Sequence, residues 1–299
     1  MVLSAYGTAL VCAALISCGA LALSCARAGL GARRGALTAL LAVPLCIVCA
    51  RGYYLLMNNV IGGAFWMGGL ISFYPYENAM CGSVLGAMLA AVLAARLTGE
   101  RSARLLDALA PAALLMIVLA RAAEVFSDFG WGQVIDDPAL CFFPVAAQDM
   151  YGQWHGAVFM LESMLALAVL AAVLLRKWCV PGGRFAFALV CWSMAQIFCE
   201  SLRAETLRWG FVRVQQVQCA VFALAALAVG SVKAGLRGRR LALPWGVYLL
   251  GVALVVGLEY ALDKLPMPRA LDYALMAAVL AAMGWAALRP WAQLENNRL

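Results

Sequence analysis

Residues 156–175, GAVFMLESMLALAVLAAVLL, form a long apolar run that contains one charged side chain, that of Glu162. A membrane-spanning helix needs about 20 predominantly apolar residues, so this run is long enough to cross a bilayer. A charged group within the hydrocarbon costs about 2.5–3.5 kcal/mol on insertion scales. The stretch therefore predicts a membrane helix whose glutamate faces an enclosed polar site.

The rest of the chain repeats this pattern. Of its 299 residues, 66% are hydrophobic and 12% are charged, whereas globular domains carry about 25% charged residues. We predict an all-α polytopic membrane protein, in which a short Gly-rich run at 61–73 is a loop. The nine predicted spans lie at about 5–26, 36–57, 78–97, 105–126, 156–175, 184–203, 211–232, 242–262 and 269–288.

The distribution of basic residues predicts the orientation. With the N-terminus outside, 15 of the 22 basic residues fall in inner loops and the C-terminal tail, as the positive-inside rule requires. The long outer segment 126–155 has no Lys or Arg but four aspartates. We predict a multi-pass membrane protein with its C-terminus inside. The net charge of +7 then reflects insertion and attraction to anionic lipid, and no nucleic-acid partner is predicted.

Eleven cysteines do not indicate a metal or redox site, because ten of them lie in or beside apolar spans, where Cys packs as a small hydrophobe. Cys46 and Cys49 form a C-x-x-C pair without a second pair or a nearby histidine. We therefore predict no metal and no cofactor.

Six of the ionisable residues in the apolar spans balance in charge: Arg51, Arg121, Arg203, Glu124, Glu162 and Glu200. In the predicted topology they fall near the outer surface, and the pairs 121/124 and 200/203 each share a helix face. Packing ion pairs and snorkelling ends would explain some of them, but Arg51 and Glu162 lie too deep. We predict a functional cavity with Arg203, Arg208 and Arg213 at its mouth. Guanidinium groups match phosphate, which favours a phospholipid head group and a lipid-modifying enzyme.

An ordered set of short motifs resembles the bacterial prolipoprotein diacylglyceryl transferases over residues 5–232. The motifs are Ala50-Arg51-Gly52-Tyr53-Tyr54-Leu55, Met67 to Phe73, Cys81 to Gly86, Ala120-Arg121 through Trp131-Gly132, His155 to Glu162, Cys199-Glu200-Ser201-Leu202-Arg203 and Val214-Gln215-Gln216.

The resemblance implies seven spans with the N-terminus outside and a definite reaction. Members of this family move the diacylglyceryl group of phosphatidylglycerol to a lipobox cysteine thiol and release glycerol phosphate. Arg121 and Arg203 would hold the phosphate, and Glu162 closes the family's His-Pro-x-x-x-Tyr-Glu element. Tyr6 matches the Tyr-Gly of span one. The residues predicted to bind substrate are Arg51, Tyr6, Glu200, Gln216, Gly132, Arg208 and Arg213.

Two motifs depart from the family pattern. Cys81-Gly82-Ser83 stands where the family has His-Gly-Gly, and Glu124 to Phe129 replaces Asn-Phe-x-Asn-x-Glu. Because a thiol attacks as its thiolate, a base is still needed in place of the histidine. The candidate bases are Glu124, Glu162 and His155, although a lone interfacial histidine is more often structural.

The chain divides at its basic segment 233–240. Residues 1–232 are predicted to form the transferase-like domain, and 233–299 to add a basic loop, a nearly featureless two-span hairpin and a tail. Alternatives to an enzyme are a transporter of lipid or anions, or a non-catalytic lipid-binding partner with the same fold. The repeated halves and midplane helix breaks typical of transporters are not seen in the sequence.

The predicted topology can be tested by placing single cysteines at Asp137 and Gly238 in a cysteine-free background. We expect membrane-impermeant thiol reagents to reach Asp137→Cys from outside and Gly238→Cys only after permeabilisation. Labelling of both positions from the same side would contradict nine spans with opposite termini.

Overall fold

In this computed structural model the described residues are 4–62, 79–127, 130–149, 151–204, 206–209, 212–264 and 268–297; the side chains of 58–62 and 209 are also left undescribed. Within these ranges nine helices are long and apolar enough to cross a membrane. The prediction of an all-α polytopic membrane protein is confirmed. Most of the predicted loop at 61–73 lies outside the described residues.

The chain forms two compact units, 1–123 and 124–299. The first contains α1 (Ala5–Arg27), α2 (Ala32–Gly62), α3 (Met80–Thr98) and α4 (Ser102–Ala123). Here α2 packs on α3, and α1 packs on α2 and α4. α2 is longer than its predicted span of 36–57. Helix α3 ends at Gly99, which adopts the left-handed conformation with φ of +67°, as is common for a helix C-cap.

Small residues bring α2 and α3 close together. A Cβ atom at Gly82 would lie 2.7 Å from Cα of Ala50, and one at Gly86 would overlap the backbone of Leu45. Membrane helices gain little from excluding water from one another, so they associate through such close backbone contact. The same contact places the N-terminal end of α3 beside Ala50, whose carbonyl accepts a hydrogen bond from the Ala79 N–H.

The second unit begins with a 3₁₀ turn, Glu124–Phe126, and continues with a second turn, Pro138–Leu140, and a short hairpin of β1 (Ala146–Gln148) and β2 (Trp154–Gly156). Five helices follow: α5 (Val158–Leu175), α6 (Gly183–Leu202), α7 (Val214–Lys233), α8 (Arg239–Lys264) and α9 (Arg269–Asn296). A second hairpin, β3 (Arg208–Trp209) with β4 (Val212–Arg213), precedes α7. Helix α6 is central, since α5, α7 and α9 all pack on it.

Candidate active site

The C-terminal end of α6 carries the best-defined part of the site. The helix ends at Leu202, and Arg203 follows it in an extended backbone conformation. Nε of Arg203 donates to Oε1 of Glu162 at 2.8 Å, and Nη2 lies 2.8 Å from the same oxygen. Glu162 lies in the second turn of α5 and is buried. A short hydrogen bond between two charged groups is among the stronger side-chain contacts, so it holds the guanidinium beside this carboxylate.

Two further carboxylates lie near the same guanidinium. Oε2 of Glu124 is 3.8 Å from Nη2 of Arg203, and Oε2 of Glu200 is 3.8 Å from its Nε. Both glutamates are buried. These two contacts are longer than the pair with Glu162, so Glu162 is the principal partner of Arg203 and the other two carboxylates surround it more loosely.

A glycine-containing segment packs against this cluster. Gly132 forms an isolated antiparallel bridge with Arg203, and the Ala204 N–H donates to the Trp131 carbonyl at 3.0 Å. The Gly132 N–H in turn donates to the Gly156 carbonyl at 2.7 Å. Gly132 leaves no room for a side chain, because a Cβ atom there would lie 2.9 Å from Val158. The backbone around Arg203 is therefore held by residues 131–132.

His155 lies on β2, beside this segment. Its Nδ1 is 3.4 Å from the Gly132 carbonyl and its Nε2 is 3.3 Å from Oδ2 of Asp149, while its ring meets Trp131 edge to face at 5.2 Å. Both ring nitrogens are thus directed at oxygen atoms of the protein. This arrangement favours the structural role of His155 over that of a base.

Asp149 organises the turn between β1 and β2. Its carboxylate accepts from the backbone N–H groups of Tyr151 and Gln153. Desolvation raises the pKa of Asp149, but these two bonds and the His155 ring outweigh it and hold the pKa below its ordinary value. Asp149 therefore stays ionised and keeps His155 in place.

The first unit places two predicted residues near the start of α3. Arg121, in the last turn of α4, is buried, and its Nη2 lies 3.2 Å from Sδ of Met80. Arg51 is buried on α2, directly after Ala50, which contacts the residue before α3. Its guanidinium lies 5.5 Å from the ring centre of Tyr54. Two arginines and a helix N-terminus are a suitable environment for an anion.

Two further residues singled out from the sequence, Tyr6 and Cys81, lie on α1 and α3 of this unit. Tyr6 lies in the first turn of α1 and is partly buried. Cys81, at the position of the family histidine, is buried on α3. Arg121 belongs to the first compact unit and Arg203 to the second, so the cavity that they are predicted to share stays a prediction.

A family model described as prolipoprotein diacylglyceryl transferase matches residues 1–231. The chain belongs to the prolipoprotein diacylglyceryl transferase family. The predicted resemblance is thus confirmed. Helices α8 and α9 lie beyond the matched residues.

Several curated relatives carry the name phosphatidylglycerol–prolipoprotein diacylglyceryl transferase. The protein of Clostridium novyi (strain NT) is 28% identical over 200 residues, which are 63% of this chain and 75% of the relative. That of Bacillus licheniformis is 27% identical over 207 residues, 64% of this chain and 73% of the relative. That of Acaryochloris marina is 29% identical over 187 residues, which are 57% of this chain and 65% of the relative. The identity is modest but extends through most of the family region.

Two of the three predicted mouth arginines, Arg208 and Arg213, have carboxylate partners outside the family region. Arg213 is buried, and its Nε lies 3.3 Å from Oε2 of Glu259 on α8. Arg208 is exposed, and its Nη1 lies 3.4 Å from Oδ2 of Asp263 on the same helix. Gln216 is also buried and donates to Glu259 at 2.6 Å. Of the three predicted mouth arginines, only Arg208 is exposed, as a residue at a cavity mouth should be.

The expectation of a nearly featureless C-terminal hairpin is wrong. Glu259, Asp272 and Glu295 are all buried carboxylate residues of α8 and α9. Sequence reasoning missed them, although Glu259 and Asp272 lie in predicted spans and carry the same insertion cost as the residues of the first seven. That cost was the signal that could have found them.

An apolar cavity of about 500 Å³ lies between α5, α6 and α9. Leu161 and Leu165 line it from α5, Phe198 from α6, and Leu280 and Trp285 from α9. Leu161 directly precedes Glu162, the partner of Arg203. Hydrocarbon is the chemistry that suits such a lining.

Gly130 provides a test of the packing around Glu124. It adopts φ of +75°, and a Cβ atom there would overlap Oε2 of Glu124 and lie 2.9 Å from Cβ of Phe159. Gly152 has a similar φ of +82° but no atom nearer than 3.6 Å. The backbone cost of alanine is about 1–2 kcal/mol at either position. At Gly130 the overlap should add about 1–3 kcal/mol.

We therefore expect Gly130→Ala to lower the thermal unfolding midpoint in detergent clearly more than Gly152→Ala does. Equal shifts for the two variants would contradict close packing of the Glu124 carboxylate against Gly130.

Proposed function

We propose that this protein transfers the diacylglyceryl group of phosphatidylglycerol to the thiol of a prolipoprotein cysteine, with glycerol phosphate as the leaving group. The observation that carries the proposal is the Arg203 guanidinium at the end of α6, held by Glu162 at 2.8 Å within a chain that belongs to the diacylglyceryl transferase family. The site would lie on the outer side of a bacterial cytoplasmic membrane, with the N-terminus outside and the C-terminus in the cytoplasm.

In the proposed reaction the cysteine sulfur attacks the glycerol carbon that carries the phosphate ester. A carbon–sulfur bond forms, the carbon–oxygen bond to phosphate breaks, and the electron pair leaves with glycerol phosphate. The added negative charge on the leaving group needs stabilisation in place, which is usually the largest contribution to such catalysis. Arg203 and Arg121 are proposed to supply it, because a guanidinium stays charged even when desolvated.

The thiol proton needs an acceptor, and Glu124 is proposed for this role. Glu162 is bound closely to Arg203 through its Oε1, whereas Glu124 lies 3.8 Å from the same guanidinium. His155 is the weaker candidate, since both of its ring nitrogens face oxygen acceptors.

The apolar cavity between α5, α6 and α9 supports a lipid substrate. Its lining offers an acyl chain an apolar surface formed by α5, α6 and α9. Arg51 is proposed to contribute a further positive charge to the head-group site.

A second candidate function is lipid binding without catalysis. Cys81, buried at the position of the family histidine, favours it, because a buried cysteine does not replace a histidine as a base. The membrane span and the arginines would serve a lipid-binding partner equally well, so the two candidates differ only in turnover.

The assay expresses this chain in cells depleted of their own diacylglyceryl transferase and measures the mass of a model prolipoprotein. We expect the unmutated chain to add a diacylglyceryl mass, and Arg121→Gln or Arg203→Gln to abolish it. Arg240→Gln, which removes an exposed arginine at the start of α8, should keep activity. Loss of a buried ion-pair partner can cost about 3–5 kcal/mol, so the amount of inserted protein is measured for every variant. Wild-type activity in Arg121→Gln would contradict the phosphate-binding role.

The same assay tests the base. We expect Glu124→Gln to lose most of the mass gain, because glutamine cannot accept the thiol proton, and to show a changed dependence of rate on pH. A gain that persists would assign Glu124 to charge balance. No gain with the unmutated chain would favour the non-catalytic function.

A further inference from the structure

The end of α6 is held by Arg213, the residue that directly precedes α7. The last carbonyls of a helix have no partner within the helix, and those of Glu200 and Ser201 accept bonds from the guanidinium of Arg213, the latter at 3.1 Å. The Arg203 carbonyl accepts a further bond from Arg213 at 2.9 Å. A positive charge at this position also opposes the negative end of the helix dipole. Arg213 therefore fixes the backbone on both sides of Arg203.

Glu259 of α8 holds Arg213 in turn. Its Oε2 accepts from Nε of Arg213 at 3.3 Å, and its Oε1 accepts from Gln216 at 2.6 Å and from the Ser201 hydroxyl. All four residues of this network are buried. Both oxygens of the carboxylate are thus engaged, and they connect α8 with α6 and α7.

The consequence of removing this carboxylate is specific. Arg213 would remain as a buried charge without its counter-ion, and a buried charge in that state draws in water or moves. Either response would release the carbonyls that Arg213 holds, and these flank Arg203. The Glu162 contact would then have to hold the Arg203 side chain on a loosened backbone.

We propose that Glu259 is a positioning residue for Arg203, through which the C-terminal extension of this chain acts on the site. The extension lies beyond the residues that match the family model. The proposal rests on the proposed function for its kinetic consequence, but its structural part is independent of it.

A matched control is available on the other extension helix. Glu295 of α9 is also buried, and its carboxylate accepts from the backbone N–H groups of Cys179 and Val180 at 2.9 and 3.0 Å. These residues precede α6, whereas Ser201 and Arg203 lie at its other end. Glu295→Ala therefore removes an equally buried carboxylate of the extension without touching the end of α6 that carries Arg203.

The first measurement is hydrogen exchange in the full chain, reconstituted in nanodiscs. The Arg203 and Ala204 amides donate to the carbonyls of Glu200 and Trp131, so they report on this segment directly. We expect Glu259→Ala to speed their exchange about tenfold or more, and Glu295→Ala to speed exchange at Cys179 and Val180 instead. Unchanged exchange at 203–204 in Glu259→Ala, or equal changes in both variants, would overturn the proposal.

The second measurement is kinetic and separates positioning from general stability. We expect Glu259→Ala to weaken product inhibition by glycerol phosphate and to lower kcat/KM, each about tenfold, while Glu295→Ala changes neither per inserted molecule. In an Arg203→Lys background the further loss from Glu259→Ala should nearly vanish, because the two changes act on the same group. Losses that multiply in the double variant would overturn the proposal.

Two variants keep the outcomes distinct. If Glu259→Ala does not insert, Glu259→Gln keeps one of the two acceptor oxygens and removes the charge, and it should show the same effects to a smaller degree; no effect would overturn the proposal. If the unmutated chain shows no transfer, the proposed function fails, and the exchange measurement still decides whether Glu259 holds Arg203 in place.

Discussion

The ion pair between Arg203 and Glu162 is the interaction on which the rest of this site depends. It joins the end of α6 to the start of α5 through two contacts of 2.8 Å. Neither group could be buried alone without a large desolvation cost, so each one accounts for the presence of the other. Further contacts support this pair. Residues 131–132 hold the backbone beside Arg203, Arg213 binds the Arg203 carbonyl, and Glu259 neutralises Arg213.

The membrane class and the spans could be predicted from the sequence because they depend on local length and apolarity alone. The partner of Arg203 could not. The i, i+3 spacing favoured Glu200, yet α6 ends at Leu202, and the extended backbone at Arg203 turns its side chain toward Glu162, 41 residues earlier. The pair Arg121 and Glu124 shows the same limit, since α4 ends at Ala123 and Glu124 begins a 3₁₀ turn. Helix ends decide such contacts, and hydropathy locates ends poorly.

The long segment between α4 and α5 illustrates a second limit. Its composition indicated an acidic loop, but in the structure it contains a β-hairpin in which Asp149 and His155 interact, and it supplies Gly130 and Gly132 to the site. The pairing within this hairpin, and the bridge between Gly132 and Arg203, are set by backbone hydrogen bonds that hydrophobic periodicity does not predict. Glu259 was missed for a different reason. The free-energy cost of a carboxylate in a membrane span was apparent from the sequence, but its partner, Arg213, lies on the other side of the predicted domain boundary.

The two carboxylates of the extension also fix the position of α6 along its axis relative to α8 and α9. Glu295 holds the loop that leads into the helix and Glu259 holds the residues at its end, so sliding of α6 along its axis would break both contacts at once. The 20 residues of α6 span about 30 Å, close to the thickness of the hydrocarbon layer. A helix that cannot slide against α8 and α9 keeps the Arg203 guanidinium at one level relative to them.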